Sequence, residues 1–262
     1  MKNAGLTLSD SRLLEDAIIA YGDVVSFDQL AALSGMEREY ARKRISQLAA
    51  QGWLVRIKKG LYALSDISSR GFLRLSQYVV AQLLVEDSYV SFEAALQYHG
   101  MYDQLLQTIR SVACKQSKTA EVGGSTYRFT KTNEAYFYGW EIVVIEGHQV
   151  KMATAEKALL DLLMFDRTIY VTDLVLEILR DQHQALDWDR LQEYLARSTL
   201  TVQRICGFLF DLTGIDSTTV ATLVIGAKGS SRVTKQSTIY SHKWRLYYDE
   251  HFTQYNRDEI SV

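Results

Sequence analysis

The chain has 262 residues, 47% of them hydrophobic, enough to bury the core of one large domain or of a small and a medium one. It lacks an apolar run of about 18 residues that could form a membrane span, and residues 1–10 lack the apolar stretch of a secretory signal, so a soluble cytoplasmic protein with no membrane partner is expected. Cys114 and Cys206 stand far apart with no CxxC partner, which argues against a disulfide framework or zinc site, and a net charge of −2 conceals segregated signs.

Ser9 to Tyr21 places Leu13, Leu14, Ala17 and Ile18 at helical spacing and predicts an amphipathic helix stopped by Gly22. Ser26 with Gln29 forms the capping box of a second, shorter helix whose stripe is Phe27, Leu30 and Leu33 and whose stop is Ser34-Gly35. A third helix is expected from about Met36 to Gln51. Its inward positions are Ala41, Ile45 and Leu48, which turns Glu39, Lys43 and Ser46 the other way with Arg42 beside them. After Gly52 the period becomes two: Trp53, Val55 and Ile57 alternate with Leu54, Arg56 and Lys58, and Lys59-Gly60 turns the chain into Leu61 to Leu64 as a β-hairpin.

Three helices and a basic-tipped hairpin predict a winged helix-turn-helix. From Met36 to Gly60 seven Lys/Arg oppose only Glu37 and Glu39, a net of +5. The third helix suits the major groove and the hairpin lysines suit phosphates. The candidate DNA-binding residues are therefore Arg38, Glu39, Tyr40, Arg42, Lys43, Arg44 and Ser46 on the helix, and Arg56, Lys58 and Lys59 on the hairpin. Arg44 lies nearer the buried side, where a snorkelling stem is the alternative. For the whole module the alternative is protein docking. One copy reads only about four or five base pairs, so paired sites, an inverted repeat read by two copies that associate on DNA or beforehand, are expected.

Ser65 to Gly71 is polar and serine-rich and reads as a linker, which divides the chain into 1–70, the DNA-binding domain, and 71–262, a larger mixed α/β domain, α+β overall. Helices are predicted at Phe72 to Val85 and, capped by Ser91, up to His99-Gly100. Strands follow at Ile109 to Lys115, Thr126 to Thr130, Ala135 to Tyr138 and Glu141 to Glu146, with Gly123-Gly124 as a turn. Helices return at Thr154 to Phe165, Val171 to Arg180, Trp188 to Arg197 and Val202 to Leu212, and a mixed end closes in a strand at Lys243 to Tyr248. Between Ala153 and Asp216 eleven acids outnumber six bases, whereas Ser217 to Tyr248 carries five bases and no acid. Lys115, Lys118, Arg128 and Lys131 with Lys228, Arg232 and Lys235 form a candidate second basic surface, flanking a duplex or contacting RNA; a solvated face is the alternative.

Gly52-Trp53-Leu54-Val55-Arg56-Ile57-Lys58-Lys59-Gly60-Leu61-Tyr62-Ala63-Leu64 resembles the wing of AbiEi-type antitoxins of type IV toxin-antitoxin systems. Tyr89-Val90-Ser91-Phe92-Glu93-Ala94-Ala95-Leu96 with His99-Gly100-Met101, and Val150 to Asp161 with Glu156-Lys157-Ala158-Leu159-Leu160-Asp161, are similar to two further family segments in the same order, with weaker echoes at Arg204 to Leu212 and Trp244 to Leu246. Ala155 stands where the family usually has proline; the chain contains none. The resemblance implies a transcriptional autorepressor for phage defence by abortive infection. It would bind double-stranded DNA at inverted repeats in its own promoter and counteract an AbiEii-type nucleotidyltransferase toxin without a tight complex. An orphan regulator without a toxin is the alternative.

No catalytic constellation stands out, and no catalytic residue, cofactor or metal is expected. Glu93 and Glu156 are first-turn acids favoured by the helix dipole, His99 is placed to meet helix-terminal carbonyls, and Lys157 with Asp161 is a pair at i, i+4. Gly123-Gly124 lacks the lysine and spacing of a phosphate loop. The rival from another class is a metal-dependent nuclease using Glu146, His148, Lys151 and Glu156, but these lack paired acids at the usual lysine spacing. The expected reading is not an enzyme.

Overall fold

The computed structural model describes residues 6–65 and 73–256, and the chain is α+β. The linker expected at 65–71 lies, beyond Ser65, outside the described residues. The described residues form two compact units: one holds those up to Glu86 with Thr119–Tyr127 and Val144–Gln149, the other holds Asp87–Lys118, Arg128–Val143 and those from Val150 on.

In the first unit, helix α1 (Leu8–Tyr21) starts one residue earlier than its apolar pattern, because the Thr7 hydroxyl and the Asp10 carboxylate close a capping box. A strand β1 (Val24–Ser26), too short to show a period, precedes α2 (Phe27–Ser34), whose Ser26/Gln29 box forms as read. Gly35 takes the left-handed conformation (φ 61°) that ends α2 and turns the chain into α3 (Arg38–Ala50). Strands β2 (Leu54–Lys58) and β3 (Leu61–Leu64) form the expected hairpin, and β1 adds to it in the antiparallel order β1-β3-β2. The alternation in β2 is imperfect: a register shift between Arg56 and Lys58 leaves Leu54 and Ile57 both buried. Leu13, Leu14, Ala17, Leu30, Ala41, Ile45 and Leu48 close one core with Trp53 and Leu54. Helix α4 (Gln77–Leu84) also belongs to this unit and begins at residue 77 because the Ser76 hydroxyl accepts from the Tyr78 amide at 3.3 Å.

In the second part of the chain come β4 (Ser88–Val90), α5 (Phe92–Tyr98), β5 (Thr108–Ala113), β6 (Lys118–Val122), β7 (Ser125–Lys131), β8 (Trp140–Ile145) and β9 (His148–Ala153). They form one sheet in the order β6-β7-β5-β4-β9-β8. The strand expected at Ala135 to Tyr138 is instead a 3-10 turn, Glu134–Tyr136. Its aromatic residues imitate a strand pattern because Phe137 packs on the rings of Tyr89 and Trp140, at 5.1 and 6.0 Å between centroids. Then follow α6 (Ala155–Phe165), α7 (Ile169–Gln182), α8 (Trp188–Arg197), α9 (Leu200–Leu212), α10 (Thr218–Val224), and a small sheet β10 (Ser231–Arg232), β12 (Leu246–Tyr248) and β11 (Ile239–Ser241) in that order.

Helices α6 and α9 are sheathed on every side: Ala155 to Leu163 and Val202 to Phe210 are buried without a break. At Gly207 in α9 the Trp244 ring lies directly on the backbone, where a Cβ would overlap it, and the indole N–H donates to Asp211 Oδ2 at 2.6 Å. Gly207→Ala therefore forces a rigid, hydrogen-bonded ring to move and is expected to cost about 1–3 kcal/mol. In thermal unfolding this is a fall in Tm of at least about 3 °C. An unchanged Tm would show that the ring does not seat on Gly207.

Candidate nucleic-acid interface

The packing of α3 decides which of its side chains reach solvent. Ala41, Ile45 and Leu48 are buried, so Arg38, Glu39, Tyr40, Arg42, Lys43 and Ser46 all stand exposed on the opposite arc. Between α3 and the hairpin runs a groove of about 650 Å³, walled by Arg38, Arg42 and Ser46 on one side and by Arg56, Lys59 and Tyr62 on the other. Helix and hairpin thus turn Arg38, Arg42, Arg56 and Lys59 into one trough, which Asp28 also lines.

The cations of this unit divide by what holds them. Arg42, Arg56 and Lys59 have no carboxylate partner among the described residues, and Lys43 lies 5.8 Å from the Tyr40 ring centre. Arg38 is partly neutralised by Asp28 at 2.9 Å, although both side chains are well exposed. Lys58 points to Glu86 at 3.0 Å. Arg44 is turned inward: its Nε donates to Asp10 Oδ1 at 2.6 Å and its Nη2 to the other oxygen, tying α3 to the first turn of α1. Asp10 is 3% exposed, which makes this pair part of the helical core.

The residues of the candidate second basic surface have different surroundings. Lys115 is paired with Asp87, and Lys118 lies in β6. Arg128 and Lys131 are exposed on β7, Arg128 between the buried Tyr127 and Phe129. Lys228 is exposed, and its carbonyl accepts from the buried Arg204. Arg232 and Lys235 share a cavity with Arg167, a residue hidden from sequence reading by its acid-rich neighbourhood.

Residues of the two family-like segments that follow the wing meet in the second unit as a buried polar cluster. Asp161 accepts from Ser91 Oγ at 2.7 Å, from Tyr89 OH at 3.0 Å and from Lys157 Nζ. Ser91 occupies the N-cap position of α5 but does not cap it, since its hydroxyl is committed to Asp161. Lys157 is 2% exposed and lies 4.7 Å from the Tyr138 ring centre, so the pair read as i, i+4 is fully internal. Burial pushes the Asp161 carboxyl above the usual carboxylate range, opposed by Lys157 and the two hydroxyls. Glu156 accepts from the Asp187 amide at 2.9 Å, Arg110 bridges Glu93 and Asp166 at 3.3 and 2.9 Å, and His99 Nε2 lies 2.8 Å from the carbonyl oxygen of Ala153, beyond its own helix. Each group has a structural partner.

The nuclease residues are likewise engaged: Glu146 accepts from the Ser76 amide at 2.7 Å, His148 lies 3.0 Å from Asp23, and Lys151 lies 5.1 Å from the Trp140 ring centre. Among the described residues no group of three or more His, Cys, Asp or Glu is arranged to hold a metal ion, and no helix is long and apolar enough to cross a membrane.

Residues 12–65 match a family model described as "Transcriptional regulator, AbiEi antitoxin", the family that the sequence resembles. The match spans α1 to the hairpin. A comparison with curated proteins returns no match. Among solved structures the chain is similar to the RV2827C protein from Mycobacterium tuberculosis, with a TM-score of 0.67 and 13% sequence identity over 98% of this chain and 96% of that one. At that identity the likeness speaks for the fold.

Proposed function

We propose that the chain is a DNA-binding transcriptional regulator whose first unit acts as a winged helix-turn-helix, with α3 in the major groove and the hairpin on the flanking phosphates. The observation that carries this reading is the trough in which Arg42, Arg56 and Lys59 converge, while the acid that lines it, Asp28, is paired with Arg38. Opposed cations on a helix and a hairpin suit the two functions a duplex demands, base-edge readout and backbone positioning. The family match over residues 12–65 supports extending the reading to an autorepressor and antitoxin of a type IV system. Such a protein works in the cytoplasm, binds inverted repeats in its own promoter as two copies, and counteracts a nucleotidyltransferase toxin without a tight complex and without enzymatic activity of its own.

The test is a fluorescence-anisotropy titration of the full chain against a duplex carrying the sequence upstream of its own reading frame, with and without EDTA. Expected is saturable binding by two chains per duplex, unaffected by EDTA and about a thousandfold tighter than to a scrambled duplex. Equal affinity for both duplexes would overturn the regulator, and EDTA-sensitive cleavage would replace it with a nuclease.

A further inference from the structure

A second basic cavity lies in the other unit, of about 360 Å³, between the end of α6 and the turn after β10. Arg167, Arg232 and Lys235 supply its charge, and Met164, Phe165 and Val233 supply an apolar wall. No acid lines it, and among the described residues none of the three cations is within ion-pair distance of a carboxylate. That sets it apart from Arg110, Lys115, Arg190 and Lys243, each of which faces an acid.

The cations are also held in place before any ligand arrives. Arg232 spans the Tyr247 ring at 4.2 Å and donates to the Ser237 carbonyl. Arg167 Nη1 reaches the Arg232 carbonyl at 3.4 Å. Asp249, buried behind the turn, spends its two oxygens on the hydroxyls of Thr234 and Ser237 at 2.8 Å each, which fixes the backbone carrying Lys235. Two guanidinium forks and an ammonium grouped in this way match the oxygens of a phosphate. The apolar wall matches a flat organic body, and the volume lies at the small end of ligand sites, which run from about 300 to 1,000 Å³.

We propose that this cavity is a binding site for a small organic phosphate of mononucleotide size, with the phosphate held by Arg167, Arg232 and Lys235 and the base against Phe165 and Met164. The proposal does not rest on the DNA-binding reading, since its residues belong to the other unit.

The experiment is isothermal titration of the full chain with AMP, CMP, GMP and UMP, and with inorganic phosphate and the matching nucleosides. Expected is one molecule bound per chain for at least one mononucleotide, with phosphate alone and the nucleoside each weaker by about tenfold or more. Arg167→Ala and Lys235→Ala, both at exposed positions, should each weaken that mononucleotide by about fivefold or more with Tm unchanged. Lys59→Ala should weaken duplex DNA and leave mononucleotide binding alone. No saturable heat at millimolar ligand, or heat indifferent to both variants, overturns the site. If the two variants weaken duplex DNA and not mononucleotides, the cations are nucleic-acid contacts and the proposal also fails.

Discussion

Asp161→Leu is expected to lower stability by about 3–5 kcal/mol, because it leaves the Lys157 ammonium buried with no counter-charge. The surroundings offer little relief: Lys157 is 2% exposed, and its other neighbours are the rings of Tyr89 and Tyr138. Ser91 and Tyr89 would lose their acceptor at the same time, each at about 1–3 kcal/mol if left unsatisfied. Lys157→Met should cost less, since the carboxyl it strands is already pushed up by burial and can take a proton while keeping its hydroxyl partners. The sign of the pH dependence follows. Where the folded chain holds this proton more tightly than the unfolded chain, the group's contribution to stability falls as pH rises from the ordinary aspartate range through its folded value, and Lys157→Met steepens that fall. The double variant Lys157→Met/Asp161→Leu removes both charges and should recover most of the loss. Urea denaturation of the four chains checks this cycle; a single Asp161→Leu as stable as the parent would show that Lys157 has another anion.

This cluster also shows why part of the architecture is not legible in the sequence. Periodicity exposes a helix with one wet face, and α1, α2 and α3 were legible in that way down to the Ser26/Gln29 box and the inward Ala41, Ile45 and Leu48. Helix α6 has no wet face, so Lys157 and Asp161 look like a surface pair until nine consecutive buried residues surround them. Strands β1, β4 and β9 were missed for related reasons: β1 and β4 are three residues long, and β9 follows β8 through a tight turn in one polar-apolar run. The charge of the interface could be read from the sequence, but its allotment could not. Nothing local to Arg44 announces Asp10, 34 residues earlier, and nothing local to Lys58 announces Glu86. Arg167 is hidden for the opposite reason, as one base in an acidic stretch that the fold brings beside Arg232.

That allotment of charge ranks the DNA contacts. Arg56→Ala and Lys59→Ala remove unpaired cations from the hairpin side of the trough, and each should flatten the slope of log affinity against log salt by about 0.9 while weakening all sequences alike. Arg42→Ala acts on the α3 side, where a guanidinium can address a base edge, so it should cost about 1–3 kcal/mol and relax discrimination at one position. Combined, the three substitutions should reduce operator affinity on the order of a thousandfold. Lys58→Ala should matter less than Lys59→Ala, because Glu86 already holds Lys58. Arg44→Ala is the internal control: it breaks the bond between α3 and α1, so it should lower Tm and leave the salt slope unchanged at temperatures where the unit stays folded. Salt-dependent anisotropy titrations on operator and scrambled duplexes measure all of these quantities. If the triple variant kept both the slope and the discrimination of the parent, the duplex would have to bind elsewhere than between α3 and the hairpin.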